Sequence, residues 1–164
     1  MTIGFPQNAV VTIAQHMKVA VAGISDLDPT GKAVFTRPLR PSDPAVSGGV
    51  FALDWRPDDY EIMGRPNGDP TLATYMLAIQ ILVKHTDEQE GLALHSETAK
   101  AVRSMLYRDA VLRVALTSLT ESSLGVTERA LKWGVGQQRY ANNELNGTFL
   151  FLTTTELSLQ TQTI

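Results

Sequence analysis

Hydrophobic residues recur at helical spacing in the first part of the chain. Apolar side chains return every three or four positions between Asn8 and Gly23, two residues that suit the ends of a helix. An asparagine before the first turn accepts hydrogen bonds from free backbone N–H groups, and a glycine after the last turn adopts left-handed angles at low cost. The pattern therefore predicts a first helix with a buried stripe of Val10, Ile13, Met17, Ala20 and Val21.

Alternating positions mark the strongest predicted strand, Leu72–His85. Period two is typical of a strand, because successive side chains point to opposite faces of the sheet. Burial of the large apolar side chains on one face would contribute on the order of 10 kcal/mol. That face comprises Tyr75, Leu77, Ile79, Ile81 and Val83, and the other carries Met76, Ala78 and Leu82, an apolar surface that we expect to be partly available for contact.

The second half of the chain predicts a helix and a closing hairpin. Residues 92–107 carry an amphipathic stripe, and 111–119 fit either a second short helix or a strand. Two long strands, 128–141 and 148–160, flank an Asn-Gly pair, which is a strong signal for a tight hairpin turn. We expect residues 161–164 to form a mobile tail.

Proline and glycine dominate residues 38–70, between the first helix and the long strand. Short strands are predicted at 33–39, 50–55 and 60–63, so the region is mostly a loop with at most one long hairpin. An unstructured connection beyond roughly 15 residues is uncommon in a compact domain unless it binds something. The order of elements predicts a single α+β domain over 1–164: one mainly antiparallel sheet packed against two helices, with a long loop or hairpin insertion and a C-terminal β-hairpin.

Composition and charge narrow the functional classes. The 164 residues are 43% hydrophobic and 19% charged, with a formal net charge of -3. These values favour a folded core and argue against a dedicated nucleic-acid-binding protein. The sequence has no cysteine, so disulfides and cysteine-ligated metals are excluded. The most apolar early stretch, 9–22, is interrupted by polar residues and is too short for a membrane span, and no secretory signal is predicted.

Two glycine motifs do not support a nucleotide site. Gly31-Lys32 lacks the earlier glycine and the following hydroxyl residue of a phosphate loop. Gly134 and Gly136 lie within a strand pattern and do not open a helix, so we expect them to mark a bulge or a close backbone approach and not a dinucleotide site.

The histidines offer the only competing chemical hypothesis. His85 and His95 flank one strand-to-helix turn that is rich in glutamate, and a metal site of histidine and carboxylate is conceivable there. Their spacing matches no familiar motif, and no Gly-x-Ser-x-Gly nucleophile elbow occurs. We therefore expect a protein that is not an enzyme and has no catalytic residue, metal or cofactor. The alternative from another class is a small α+β ligand-binding domain or enzyme with its site near these two histidines.

The loop-rich region offers candidate residues for a protein interface. Arginines there alternate with acidic residues, and charge pairs of this kind set the register of protein contacts. Aromatic residues, methionine and arginine are enriched at interface centres, although Trp55 would equally well fill the domain's own core. The candidates are Arg37, Arg40, Trp55, Arg56, Tyr60, Met63 and Arg65.

Several sequence stretches resemble the tail terminator proteins of long-tailed bacteriophages. The long strand TYMLAIQILVKHTD runs into a polar turn, and a helix with the core Ala101-Val102-Arg103-Ser104-Met105-Leu106 follows. The chain closes on GTFLFLTTTELSLQTQ, which holds the Thr155-Glu156 pair typical of the last strand. The resemblance spans roughly residues 10–160, and the long loop at 38–70 departs from the shortest members.

The resemblance implies a structural virion protein of the tail-neck region, made and assembled in the host bacterial cytoplasm. Its subunits would form a homohexameric ring that caps the tail tube, ends tube polymerisation and joins the tail to the head connector. The implied partners are further copies of the chain, the tail tube protein and a head-completion or connector protein, and double-stranded DNA would pass through the lumen without specific binding. A head-completion or connector protein of the same neck region is the alternative role.

Overall fold

The computed structural model describes residues 5–22, 32–53, 62–63, 72–123 and 126–163. Three helices and seven strands follow one another along this part of the chain. In order they are α1 (Phe5–Ala22), β1 (Lys32–Phe35), β2 (Val46–Ala52), β3 (Ile62–Met63), β4 (Leu72–His85), α2 (Glu88–Arg108), α3 (Ala110–Ser118), β5 (Thr120–Ser123), β6 (Val126–Leu145) and β7 (Thr148–Thr163).

The strands form one sheet in the order β1-β2-β4-β7-β6-β5, and the two-residue β3 pairs separately with β4. Every neighbouring pair is antiparallel except β1 and β2, which run parallel. The β4 strand lies near the middle and pairs with β7 over its whole length, from Leu72 opposite Gln162 to His85 opposite Phe149. The α+β fold with a mainly antiparallel sheet is therefore confirmed.

All three helices pack on the same face of the sheet. The predicted apolar face of β4 lies beneath them, and its side chains from Tyr75 to Val83 are almost completely buried. Helix α1 covers β1 and β2, α2 covers β4 and β7, and α3 covers β6. The inward stripes are Val10, Ile13, Met17 and Val21 of α1, Val102 and Leu106 of α2, and Leu112 and Leu116 of α3.

A single aspartate explains why a third helix forms where the sequence left helix and strand open. The backbone N–H of Asp109 donates to Met105 O and ends α2. Its side chain accepts from the backbone N–H of Leu112 at 3.0 Å and begins α3. An N-cap of this kind is typically worth about 1 kcal/mol. The sheet is therefore covered by three helices rather than two.

The closing hairpin forms as predicted, with longer strands. Asn146 and Gly147 connect β6 to β7 with φ angles of 52° and 81°, the left-handed values of a two-residue turn that follows the twist of the strands. Residues 161–163, expected to be a mobile tail, instead continue β7. Thr161 is buried and lies between Ala73 of β4 and Ala130 of β6, so strand pairing holds this segment.

The region 38–70 differs from the expected loop where the structure describes it. Strand β1 ends at Phe35, and β2 begins at Val46, before the predicted start at residue 50. The β2 strand pairs with β1 on one side and β4 on the other, so it is an internal strand of the sheet. Small buried residues, Ser47, Gly48 and Gly49, form its first half, which is why composition suggested a loop. Residues 54–61 and 64–71 lie outside the described part of the chain.

Candidate functional site

The connection between β1 and β2, residues 36–45, is closed by an ion pair within the subunit. The two terminal guanidinium nitrogens of Arg37, Nη2 and Nη1, donate to the Asp43 carboxylate at 2.7 and 3.0 Å. The backbone N–H of Arg40 donates to the same carboxylate at 2.6 Å. The Arg37 hydrogen bond lowers the pKa of Asp43 to about 2, and the same bond raises the pKa of Arg37. Asp43 is only 5% exposed, so this carboxylate is a fixed part of the subunit.

The β1–β2 connection is fastened to the sheet face that the helices leave uncovered. The backbone N–H of Leu39 donates to Gln80 Oε1 at 2.9 Å, and Lys84 Nζ donates to the carbonyl of Pro41 at 3.0 Å. Gly49 lies directly beneath, and an added Cβ there would stand 2.7 Å from the Arg37 carbonyl oxygen. The connection therefore lies against β2 and β4 and forms part of the subunit's own packing.

These contacts locate only some of the predicted interface residues. Arg37 is half-buried and bound to Asp43, with its guanidinium 4.1 Å from the ring centre of Phe35, whereas Arg40 is exposed. Their contact with another subunit stays a prediction. Met63 belongs to β3, but its side chain and the residues Trp55, Arg56, Tyr60 and Arg65 lie outside the described part of the chain.

The uncovered sheet face offers less apolar surface than its sequence suggested. Ala78 and Leu82 are buried, whereas Met76 is exposed. Leu82 stands opposite Ser47 of β2, which is itself buried and bonded to the carbonyl of Pro44. The surface predicted on this face is thus reduced to the neighbourhood of Met76.

The two histidines serve separate structural roles. His95 is buried, its Nε2 lies 2.7 Å from Thr153 Oγ1, and its ring lies beside those of Tyr140 and Phe151. Burial lowers the pKa of His95, so the neutral form is favoured. His85 instead accepts a hydrogen bond at Nδ1 from the backbone N–H of Asp87. Among the described residues, no three histidine, cysteine, aspartate or glutamate side chains are placed to hold a metal ion.

A groove of about 620 Å³ opens on the helix layer where α1, the end of α2 and the start of α3 meet. Most of its lining is apolar, and two of its valines are largely in solvent: Val19 is 75% exposed and Val111 is 69% exposed. Both lie outside the inward stripes of their helices, so neither completes the core. We call this surface the helix groove; its principal residues are Val19, Ala20, Ala101, Met105, Arg108 and Val111.

Charge is unevenly distributed over the helix layer. One exposed basic residue, Arg108, lines the helix groove, and Arg113 lies beyond it on α3. Asp109, the acidic residue of the groove, is half-buried, and its carboxylate accepts the hydrogen bond that caps α3. The opposite end of α2 is acidic and carries an exposed apolar side chain; its residues are Asp87, Glu88, Glu90 and Leu92.

The helix dipole accounts for part of this separation. Carboxylates are favoured in a first turn and cations in a last turn, which explains Glu88, Glu90 and Arg108. The groove therefore carries one exposed arginine, Arg108, at the end of α2.

Two smaller clefts, each of about 320 Å³, border β6. One lies between α3 and the sheet, where the Arg113 guanidinium stands 5.9 Å from the ring centre of Trp133. The other lies between α2 and β6, where Arg103 donates to Gln138 Oε1 at 2.6 Å. Thr117, which lines the first cleft, donates its hydroxyl to the Arg113 carbonyl oxygen at 2.7 Å.

The outer edge of β6 is the remaining candidate contact surface. Strand β5 pairs with β6 only as far as Arg129, and no other described strand pairs with the outer edge from Ala130 to Leu145. The pairing of β6 with β7 shifts register between Ala130 and Lys132 and again between Val135 and Gln138. Bulges and edge charges such as Lys132 and Arg139 discourage pairing with another chain. This edge is therefore less suited to assembly than the helix groove.

None of the described helices combines the length and apolar character needed to cross a membrane. No protein-family model and no curated protein matches the chain. Among solved structures, a chain from the virion of a native gene transfer agent particle is similar, with a TM-score of 0.43 and 11% identity over 92% of this chain and 93% of that one. A second solved chain has a TM-score of 0.33 and 13% identity, with the same two coverages. At these values neither likeness assigns a function.

Proposed function

We propose that this protein is a non-enzymatic structural subunit that assembles with copies of itself into a homohexameric ring. The ring would cap the tail tube of a long-tailed phage, end tube polymerisation and join the tail to the head connector. The observation that carries the proposal is the helix groove, an apolar surface left in solvent beside a well-packed core.

The groove supports assembly because contiguous apolar side chains that remain in solvent commonly mark interaction sites on soluble proteins. Val19 and Val111 lie beside a groove lined by Ala20, Ala101 and Met105, so the apolar residues form one surface. A ring needs a contact between two different surfaces of neighbouring subunits, with a rotation that closes. The helix groove is suited to be one of those two surfaces.

The phage role rests on the sequence resemblance, whose motif lies beside this surface. Residues 101–106 fall within α2, where Val102 and Leu106 face the core while Ala101 and Met105 line the helix groove. The same motif thus supplies both internal packing and the candidate contact surface. A head-completion or connector role in the same neck region would use the same features and is the second candidate.

Native mass spectrometry of the purified chain, followed by binding to isolated tail tubes, tests the proposal. We expect a hexamer of the 17.9 kDa chain and a ring at the end of each tube. A hexamer that binds head connectors but not tubes would support the connector role. A chain that remains monomeric over the accessible concentrations and binds neither would contradict the proposal.

A further inference from the structure

We infer that the helix groove receives the acidic beginning of α2 from a second copy of this chain. The inference rests on the proposed ring and names the surfaces that would join its subunits. One subunit would contribute Glu88 and Leu92, and the next would contribute the groove with Val19, Val111 and Arg108.

The apolar parts of the two surfaces are complementary. Leu92 is 43% exposed although it belongs to a well-formed helix, so it is available as an apolar projection. Glu88 lies four residues earlier, and residues four apart share one face of a helix. The face that presents Leu92 therefore also presents a carboxylate. An apolar side chain inserted into the groove would bring that carboxylate close to the groove's rim.

The charges are complementary as well. Arg108 is exposed at the groove, and no described carboxylate forms an ion pair with its side chain. Glu88 is likewise exposed and has no described ion pair. Opposite charges across an interface steer association and fix its register. An amphipathic segment with basic residues would meet the like charge of Arg108 at the groove, so the acidic end of α2 fits it better.

The positions of the two surfaces make the contact head-to-tail. Leu92 and Arg108 are about 24 Å apart along α2 at a rise of 1.5 Å per residue, so one subunit cannot fill its own groove with its own Leu92. A contact between different surfaces generates a ring if the rotation closes and a filament if it does not. The inferred contact therefore supplies the kind of interface that the proposed ring requires.

Cysteine cross-linking tests the inference in the full chain, whose sequence contains no cysteine. We expect a Leu92→Cys/Val111→Cys double variant to form, on mild oxidation, a covalent ladder that ends at the hexamer, because a disulfide needs Cα atoms within about 7 Å. Each single variant should remain uncross-linked, since the contact joins different surfaces. Leu92→Cys/Val11→Cys is the matched control, because Val11 is also exposed on α1 but does not line the groove.

The outcomes separate the inference from the proposed function. If the wild-type chain forms hexamers but the Leu92→Cys/Val111→Cys variant does not cross-link, the ring stands and this contact is wrong. Cross-linking of Val111→Cys alone would indicate a symmetric contact and would also overturn the inference. A wild-type chain that forms no ring would contradict both.

A charge exchange gives an independent readout. Arg108→Glu and Glu88→Arg should each weaken self-association by about tenfold or more, because each places like charges in contact. An equal mixture of the two variants should assemble again, because each groove then meets an end of opposite charge. Arg139→Glu, an exposed charge reversal on β6, should leave association unchanged. Unaltered association of both single variants would contradict the inferred contact.

Discussion

The β1–β2 connection and the helix groove both carry basic and apolar groups. Only in the connection are these groups bonded or packed within the subunit. Arg37 is bound to Asp43, and Lys84 Nζ donates to the carbonyl of Pro41. At the groove, Arg108 has no described carboxylate partner, and Val111 lies largely in solvent. The two regions contain similar residue types. They differ in whether their polar groups have partners, and their apolar groups are buried, within the subunit.

Because of this difference, we expect substitutions in one region to affect the stability of the subunit and substitutions in the other to affect its assembly. Changes in the β1–β2 connection should weaken the folded subunit, because its polar groups are bonded to the sheet. Changes in the helix groove should leave the subunit folded and remove its contact with a neighbour. The following substitutions test this separation, from the largest expected effect on stability to the smallest.

Gly49→Val should give the largest loss of stability, about 1–3 kcal/mol, the usual cost of overpacking a filled site. A Cβ at this position would lie 2.7 Å from the Arg37 carbonyl oxygen and 3.0 Å from Leu39 Cγ, so the connection must move. Because valine favours strands, a loss of stability would come from the clash with the connection and not from the strand itself. Urea denaturation measures it. Gly136→Ala is the control, since its Cβ would have no neighbour nearer than 3.4 Å; equal losses for both variants would contradict the assigned packing.

Asp43→Asn should reduce stability at neutral pH by about 1–3 kcal/mol, because it removes a charged acceptor of several hydrogen bonds. The pKa of Asp43 lies near 2 in the folded chain, below its usual 3.8. Its contribution is therefore complete above pH 3.8 and is lost as pH falls from 3.8 towards 2. Urea midpoints at pH 7, 4 and 2.5 should show a smaller decline for the variant than for the wild type. Parallel declines would show that Asp43 does not stabilise the connection.

The sequence predicted the centre of the fold because its signals there are local and repeated. Alternation along β4 marked the face that the helices bury, and the Asn146-Gly147 pair marked the hairpin turn through its left-handed backbone. The order of these elements along the chain was then sufficient to predict the α+β fold class. These features depend on neighbouring residues and not on a distant partner.

The features that escaped prediction depend on residues far apart in sequence. The β2 strand is rich in small residues, which are not typical of a strand. It forms because it pairs with both β1 and β4. Likewise, residues 161–163 are held by strands on either side. The sequence identified arginines as interface candidates, but it did not show that Arg37 bonds to Asp43. It also gave no reason to single out Val19, which becomes recognisable only when α1, α2 and α3 are placed together.

Val111→Ser should change stability least, by no more than about 0.5 kcal/mol, as is usual for exposed positions. The same substitution should abolish or strongly weaken the ring, because it places a polar side chain in the proposed apolar contact. Urea denaturation and native mass spectrometry together measure the two effects. Val11→Ser on the exposed side of α1 is the control. A variant that forms hexamers as readily as the wild type would remove the groove from the interface.

Hydrogen exchange on the free and the assembled protein compares the two regions most directly. The account predicts that the β1–β2 connection is equally protected in both states, since its backbone N–H groups already donate to Gln80 and Asp43 within one subunit. The end of α1 and the start of α3 should exchange more slowly only after assembly, because the groove is then covered. Increased protection of the connection with no change at the groove would contradict the account and would place the interface on the uncovered face of the sheet.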